Sequence, residues 1–185
     1  MNQSNQLKVQ EIPIPPHLLI ARSLPRIDYG DAYRVPWPRD LDQNIIAFVY
    51  LLFTSAPSWV TTLTVWRNRI VKLFGIKVPE TVSAQTPDDF SFEPGTKASF
   101  FRVYEHTPEE LLIGDDDRHL NFRLSFSIDR QESVTYAVVA TAVQIHNGLG
   151  QAYFLPVRPF HRLMVPAMIR SALKVHAKKN KSRTT

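Results

Sequence analysis

The stretch His119-Leu120-Asn121-Phe122-Arg123-Leu124-Ser125-Phe126-Ser127-Ile128 alternates apolar and polar residues without a break. A period of two is the signature of a strand with two chemically different faces. Leu120, Phe122, Leu124, Phe126 and Ile128 share one face, and His119, Asn121, Arg123, Ser125 and Ser127 share the other. Upstream, Asp115-Asp116-Asp117 has turn composition. Glu110 to Gly114 then reads as a partner strand, with Phe100 to Tyr104 before it and Thr107-Pro108 between them. Downstream, a turn at Asp129 to Ser133 leads into Val134 to Ile145, which is apolar on both faces. Its Ala137, Ala140 and Ala142 leave room beside the sheet. Asn147-Gly148 and Gly150 mark another turn, and Ala152 to Val157 reads as a last short strand. The pattern is an antiparallel meander.

Helices flank the meander. Asp40 or Asp42 can cap a helix through Ile45 to Phe53, apolar on nearly all sides and so expected to be deeply buried. Ser58 is a second N-cap candidate. Trp59, Leu63, Trp66, Ile70 and Phe74 follow it at helical spacing, with Gly75 as a stop and the tryptophans as core anchors. Residues 77–99 read as loop, with a weak strand at Phe90 to Phe92. A final helix is expected from Phe160 to Lys178. Pro166 is awkward inside it, because proline clashes with the carbonyl four residues back. Asp31 to Pro38 reads as a short edge strand. The expected organisation is an extended, proline-rich segment over residues 1–27, one domain over 28–177 and a basic flexible tail over 178–185. Helices segregated from a meander give an α+β class. The expected architecture is a curved antiparallel sheet gripping a long C-terminal helix, with two further helices near the N-terminus and a ligand cavity between sheet and helix.

Composition sets outer limits. A chain of 185 residues supports one domain. It has no cysteine, which excludes a disulfide framework, a thiolate zinc site, a cysteine nucleophile and an iron–sulfur cluster. The most apolar run, Ile45 to Phe53, is far shorter than the ~20 residues of a membrane span. The first residues lack the apolar core of a secretory signal. A soluble, cytoplasmic protein is expected. The net charge of +5 is local. Lys174, Lys178, Lys179, Lys181 and Arg183 hold it, and the other 17 basic residues balance the 17 acidic ones. Such a tail reads either as a solvated helix end or as a contact for RNA or anionic lipid. The rest of the chain lacks an interleaved aromatic and basic patch, so no nucleic acid is expected as a partner.

Several of these segments resemble the bacterial family described as domain of unknown function 2867. The resemblance rests on Trp59, on Arg67-Asn68 followed by Gly75, and on the run from Gly114-Asp115-Asp116-Asp117 through Arg118-His119 to Arg123. It rests also on His146-Asn147 with Gly148-Leu149-Gly150, and on Tyr153-Phe154 leading to Pro159-Phe160-His161-Arg162. It covers about residues 29 to 173. Members occur alone or behind Rossmann domains. No Rossmann fingerprint precedes the domain here, so the stand-alone form is implied. The element order is similar to the helix-grip superfamily of START-like and polyketide-cyclase-like (SRPBCC-like) proteins. That likeness implies an apolar or aromatic ligand held between sheet and helix.

Three functional readings follow. In the first, the protein binds a small apolar molecule, with Arg123, His119 and Asn121 as polar contacts and Trp66, Tyr104, Tyr136 and Met164 in the apolar wall. The same polar face could instead be the wet side of the sheet. In the second, a cyclase- or isomerase-like enzyme uses His161 or His119 as acid/base, with Arg123 stabilising an enolate. A corner histidine such as His161 can equally be a structural hydrogen-bonder. In the third, the chain is an interaction module without a ligand. Asp115, Asp117 and His119 could share a side and hold a divalent metal, but an aspartate triplet before a strand is ordinary turn chemistry. No metal and no cofactor are therefore expected. No nucleophile elbow, P-loop or H-E-x-x-H motif is present. Glu109 and Glu110 would point apart on a strand and make a poor acid/base pair. A homodimer is left open.

Overall fold

The computed structural model describes residues 8–38, 40–60, 62, 92–98 and 101–183. Among the described residues seven strands form one antiparallel sheet in the order β1-β2-β7-β6-β5-β4-β3. They are β1 (Gln10–Ile12), β2 (Tyr29–Pro36), β3 (Lys97–Ala98), β4 (Phe101–His106), β5 (Glu110–Asp116), β6 (Leu120–Arg130) and β7 (Thr135–Ile145). Among the described residues two longer helices accompany them, α1 (Ile45–Thr54) and α2 (Gly148–Arg183). The protein is α+β, an antiparallel sheet with one long C-terminal helix. Its edge strands are the two shortest, which limits the unpaired backbone offered to other chains. No helix among the described residues is long and apolar enough to cross a membrane.

The meander lies where the alternation places it, and β6 pairs along its length with β5 and β7. Phe126 and Ile128 face a core built from α1, the second half of α2 and the matching face of the sheet, including Val35, Val103, Leu111, Ile113 and Val139. Every residue of β7 from Ala137 to Val143 is buried, as expected of a strand with both neighbours paired and both faces covered.

The polar face of β6 lies on the side of the sheet opposite α2, and it is neither wet nor beside the helix. Arg123, Ser125 and Ser127 are all buried. The cover is the N-terminal segment. Expected to run extended over the surface, it instead forms β1 and a 3-10 turn (Leu19–Arg22). Leu18, Leu19, Ile20 and Leu24 pack on Leu112, Val138, Ala140 and Ala142, filling the room the alanines leave. Glu110 pins this cover down. Its buried carboxylate accepts from the Leu19 and Ile20 N–H groups (2.8 and 3.3 Å) and from the Ser125 hydroxyl (2.5 Å). The unpaired N–H groups at the start of a helical turn attract just such an anion.

Other expectations shift. β2 is no edge strand, because β1 pairs along its outer side. Asn44, not Asp40 or Asp42, caps α1, accepting from the Ile46 N–H at 2.8 Å. Asp115 and Asp116 belong to β5 and not to a turn. Trp59 lies in a helical segment at residues 58–60 but is 44% exposed, so it is no core anchor. The remainder of that expected helix, from Leu63 to Phe74 with Trp66, lies outside the described residues, as do Phe90 and Ser91 of the weak strand.

The largest correction concerns the C-terminal helix. It begins at Gly148, so Ala152 to Val157 are helical and no eighth strand exists there. Pro156, Pro159 and Pro166 all sit inside it, leaving the carbonyls of Ala152, Leu155 and Arg162 without their usual donor. The helix also continues through Lys178 to Arg183, where a flexible tail was expected. Its start is well built. The Asn147 side-chain oxygen accepts from the Gly150 N–H at 3.0 Å, and its amide donates to the Arg118 carbonyl. A Cβ on Gly150 would stand 2.1 Å from the His119 carbonyl oxygen, so only glycine lets the helix start this close to the β5–β6 turn.

Candidate functional site

Two polar centres stand out, one on each side of the sheet. The first lies under α2. Asp31 and Thr141 are cross-strand partners of β2 and β7, and Tyr29 sits two residues from Asp31 on the same face. His161 reaches them from the helix. Its Nε2 lies 2.9 Å from the Thr141 hydroxyl and 3.5 Å from Asp31 Oδ1. The Tyr29 hydroxyl donates to the other Asp31 oxygen at 2.5 Å. Asp31 and His161 are both largely covered, with side chains 2% and 12% exposed. Burial alone would raise the Asp31 carboxyl. Hydrogen bonding and charge from His161, with help from Tyr29 and Thr141, outweigh it and hold the group below the ordinary carboxylate range. Burial and the Asp31 contact push the Tyr29 phenol well above its usual value. The Tyr33 hydroxyl, also raised by burial, is buried nearby.

This cluster does not have the layout of a relay. In a nucleophile–base–orienter triad the hydroxyl and the carboxylate address different ring nitrogens. Here Thr141 and Asp31 approach the same one. The arrangement clamps the helix to the sheet and keeps a charged carboxylate beside an imidazole.

A groove adjoins the cluster between the end of the sheet and the first turns of α2. It encloses about 190 Å³, lined by Asp28, Tyr29, Ile145, Gln151, Phe154, Leu155 and Arg158. Phe154 meets the Tyr29 ring edge-on at 5.0 Å, and the Arg158 guanidinium lies 5.3 Å from that ring's centroid. None of these groove residues stood out in the sequence. Reading Ala152 to Val157 as a strand hid the helical spacing that puts Gln151, Phe154, Leu155 and Arg158 along one side. The one pointer was Tyr153-Phe154, within the family-like motif.

The second centre lies under the N-terminal segment. Arg123 stacks on Tyr104 at 3.6 Å from the ring centroid and pairs with Asp116 at 2.8 Å. Its guanidinium also donates to the carbonyls of Phe122 and Asp115. A bulge in β4 between Val103 and Glu105 sets the local position of Tyr104. Burial alone would raise the Asp116 carboxyl, but Arg123 and Tyr104 outweigh it and hold the group low. Burial and the Asp116 contact push the Tyr104 phenol up to about 12. Arg123 Nε is buried with no hydrogen-bond partner. A Cβ on Gly114 would come within 2.1 Å of the Phe122 carbonyl, so the glycine is required by the Arg123 strand passing close beside it.

The residues singled out from the sequence are therefore divided. Arg123, Tyr104 and Asn121 lie on the sheet face opposite α2, with Tyr136 packed against the N-terminal cover. His119 stands at the β5–β6 turn, its buried Nδ1 without a partner. Met164 packs against the core on the α2 side. His161 joins the Asp31 cluster, and Trp66 lies outside the described residues. No group of three or more His, Asp or Glu side chains among the described residues could hold a metal ion.

Fold and site define a class: an α+β protein whose antiparallel sheet carries a long helix on one face and a chain segment on the other, with a buried Asp–His contact at the helix seam. The chain belongs to the family described as Protein of unknown function (DUF2867), whose model matches residues 23–168. The match spans the meander, the Asp31–His161 cluster and the groove. It leaves out β1, the whole 3-10 turn and the last turns of α2. No curated protein and no solved structure matches the chain.

Proposed function

We propose that this protein binds a small apolar or aromatic molecule in the groove between the end of the sheet and the first turns of α2. The observation that carries this reading is the groove itself: two aromatic rings and two aliphatic side chains meet there, with Arg158, Asp28 and Gln151 as its polar lining. A cavity of ~150 Å³ lined by apolar side chains is enough to hold benzene. The space here suits a single substituted ring and not a long lipid. Arg158 would orient an acidic substituent. A helix-grip architecture is supported by one long helix lying over one sheet face and by the first long strand, β2, lying beside the last, β7.

The test is a chemical-shift titration with benzoate and with indole. Saturable shifts centred on Tyr29, Ile145, Phe154 and Leu155 are expected, with benzoate the tighter of the two. Leu155→Trp should fill the groove and abolish them. Absence of saturable shifts, or unchanged shifts in Leu155→Trp, would reject the groove as the site.

A second reading, an enzyme on the same scaffold, draws on the convergence of Asp31, His161 and Tyr29 next to the groove. It requires a bound molecule to reach His161, one turn beyond Arg158. Benzoate-induced shifts of the His161 ring would favour it. Groove occupancy without any change at His161 would leave the binding module.

A further inference from the structure

We infer that the outward face of α2 is a docking surface for an anionic lipid bilayer, on which the helix lies flat. Residues three and four apart share one side of a helix. On the side away from the core they run Leu149, Ala152, Pro156, Phe160 and Leu163, then past Ala167 to Arg170, Lys174 and Lys178. All of these are exposed except Ala167, which is half-buried. Leu149 is 37% exposed, Phe160 49% and Leu163 64%, where large apolar side chains on a folded helix normally turn inward. One stripe is thus divided along its length, apolar in its first half and cationic in its second. No Asp or Glu occurs anywhere in the 36 residues of the helix.

Charge decides the occupant. A bilayer containing acidic lipid offers both things the stripe lacks: an apolar layer at acyl depth and phosphates above it. A second copy fits poorly. Stacked parallel, two such stripes set cations against cations, and fully overlapped antiparallel they set cations on apolar side chains. A nucleic acid would use the cations and leave Phe160 and Leu163 wet. The inference does not depend on what occupies the groove.

The test is co-sedimentation of the full chain with vesicles of phosphatidylcholine alone and of phosphatidylcholine mixed with phosphatidylglycerol. Binding to the mixed vesicles only is expected, weakened by added salt. Phe160→Ser with Leu163→Ser, and separately Lys174→Glu with Lys178→Glu, should each weaken it at least about tenfold. These side chains are exposed, and circular dichroism would check that each variant keeps its fold. No binding to the mixed vesicles overturns the inference. So does binding indifferent to the Phe160/Leu163 pair, which with retention on single-stranded RNA would mark a polyanion site. A doubled mass by light scattering, lost in the Phe160/Leu163 variant and without vesicle binding, would make the occupant a second copy.

Discussion

At the residue scale, motif positions that invite a ligand reading are in large part constraints of close packing. Gly114 lets the Arg123 strand pass, Asn147 caps α2, and Gly150 lets that helix start against the His119 carbonyl. Side-chain chemistry on the page of a sequence distinguishes poorly between an arginine that awaits an anion and one already held by Asp116 and a tyrosine ring. Gly148 and Gly150 give a controlled comparison. A Cβ on Gly148 meets nothing within 4 Å, whereas one on Gly150 meets backbone at 2.1 Å. Gly150→Ala should cost roughly 1–3 kcal/mol or more. For a protein of this size that lowers Tm by about 3–10 °C. Gly148→Ala should be neutral or slightly stabilising, since alanine is the better helix former by up to ~1 kcal/mol. Equal Tm values for the two variants, measured by calorimetry, would contradict the close approach.

At the element scale, the strands of the meander were legible and the helix start was not. Period-two alternation is unambiguous over ten residues such as 119–128. A short run such as Ala152 to Val157, flanked by prolines and glycines, carries strand-like composition whatever its conformation. What makes it helical is the cap at Asn147 and the contacts of Phe154, neither visible as a local pattern. The first half of α2 is nonetheless weakly held. Between Leu149 and Leu163, Phe154 is the one large side chain that is buried, at 9% exposed, and two prolines interrupt the hydrogen-bond ladder. From Val165 to Leu173, five apolar side chains are buried against α1 and the sheet. Opening free energies follow such differences in burial. Amides of residues 160–163 should therefore exchange at least about tenfold faster than those of 169–173 in native-state hydrogen exchange. Equal protection along the helix would show that the Asp31–His161 contact alone holds the first half as firmly as the core holds the second.

At the scale of the whole molecule, the sheet is covered on both sides, by helices on one and by the segment from Ile14 to Ile27 on the other. The alternation of β6 announces two unlike faces but not which of them is wet, because burial of the polar one depends on a partner distant in sequence. Glu110 shows the same limit. It is a poor half of a carboxylate pair with Glu109, and its partners are the N–H groups of a turn 90 residues away. The two covers also differ in their response to acid. Asp31 ties the sheet to α2, and Asp116 ties Arg123 on the opposite face; both carboxyls are held below their ordinary value. A carboxyl depressed in the folded state adds stability that is complete above its unfolded pKa of ~3.9 and is lost as pH falls through the lower folded value. The urea midpoint should therefore be level from neutral pH down to about pH 5 and fall steeply below about pH 4. Asp31→Asn keeps the side-chain volume and removes the charge beside His161. It should lower stability at pH 7 by about 1–3 kcal/mol and flatten the acid limb, leaving the share that Asp116 contributes. An acid limb as steep in Asp31→Asn as in the parent would mean that the carboxylate at the helix seam contributes nothing to the acid sensitivity, and that the contact with His161 is spatial proximity without coupling.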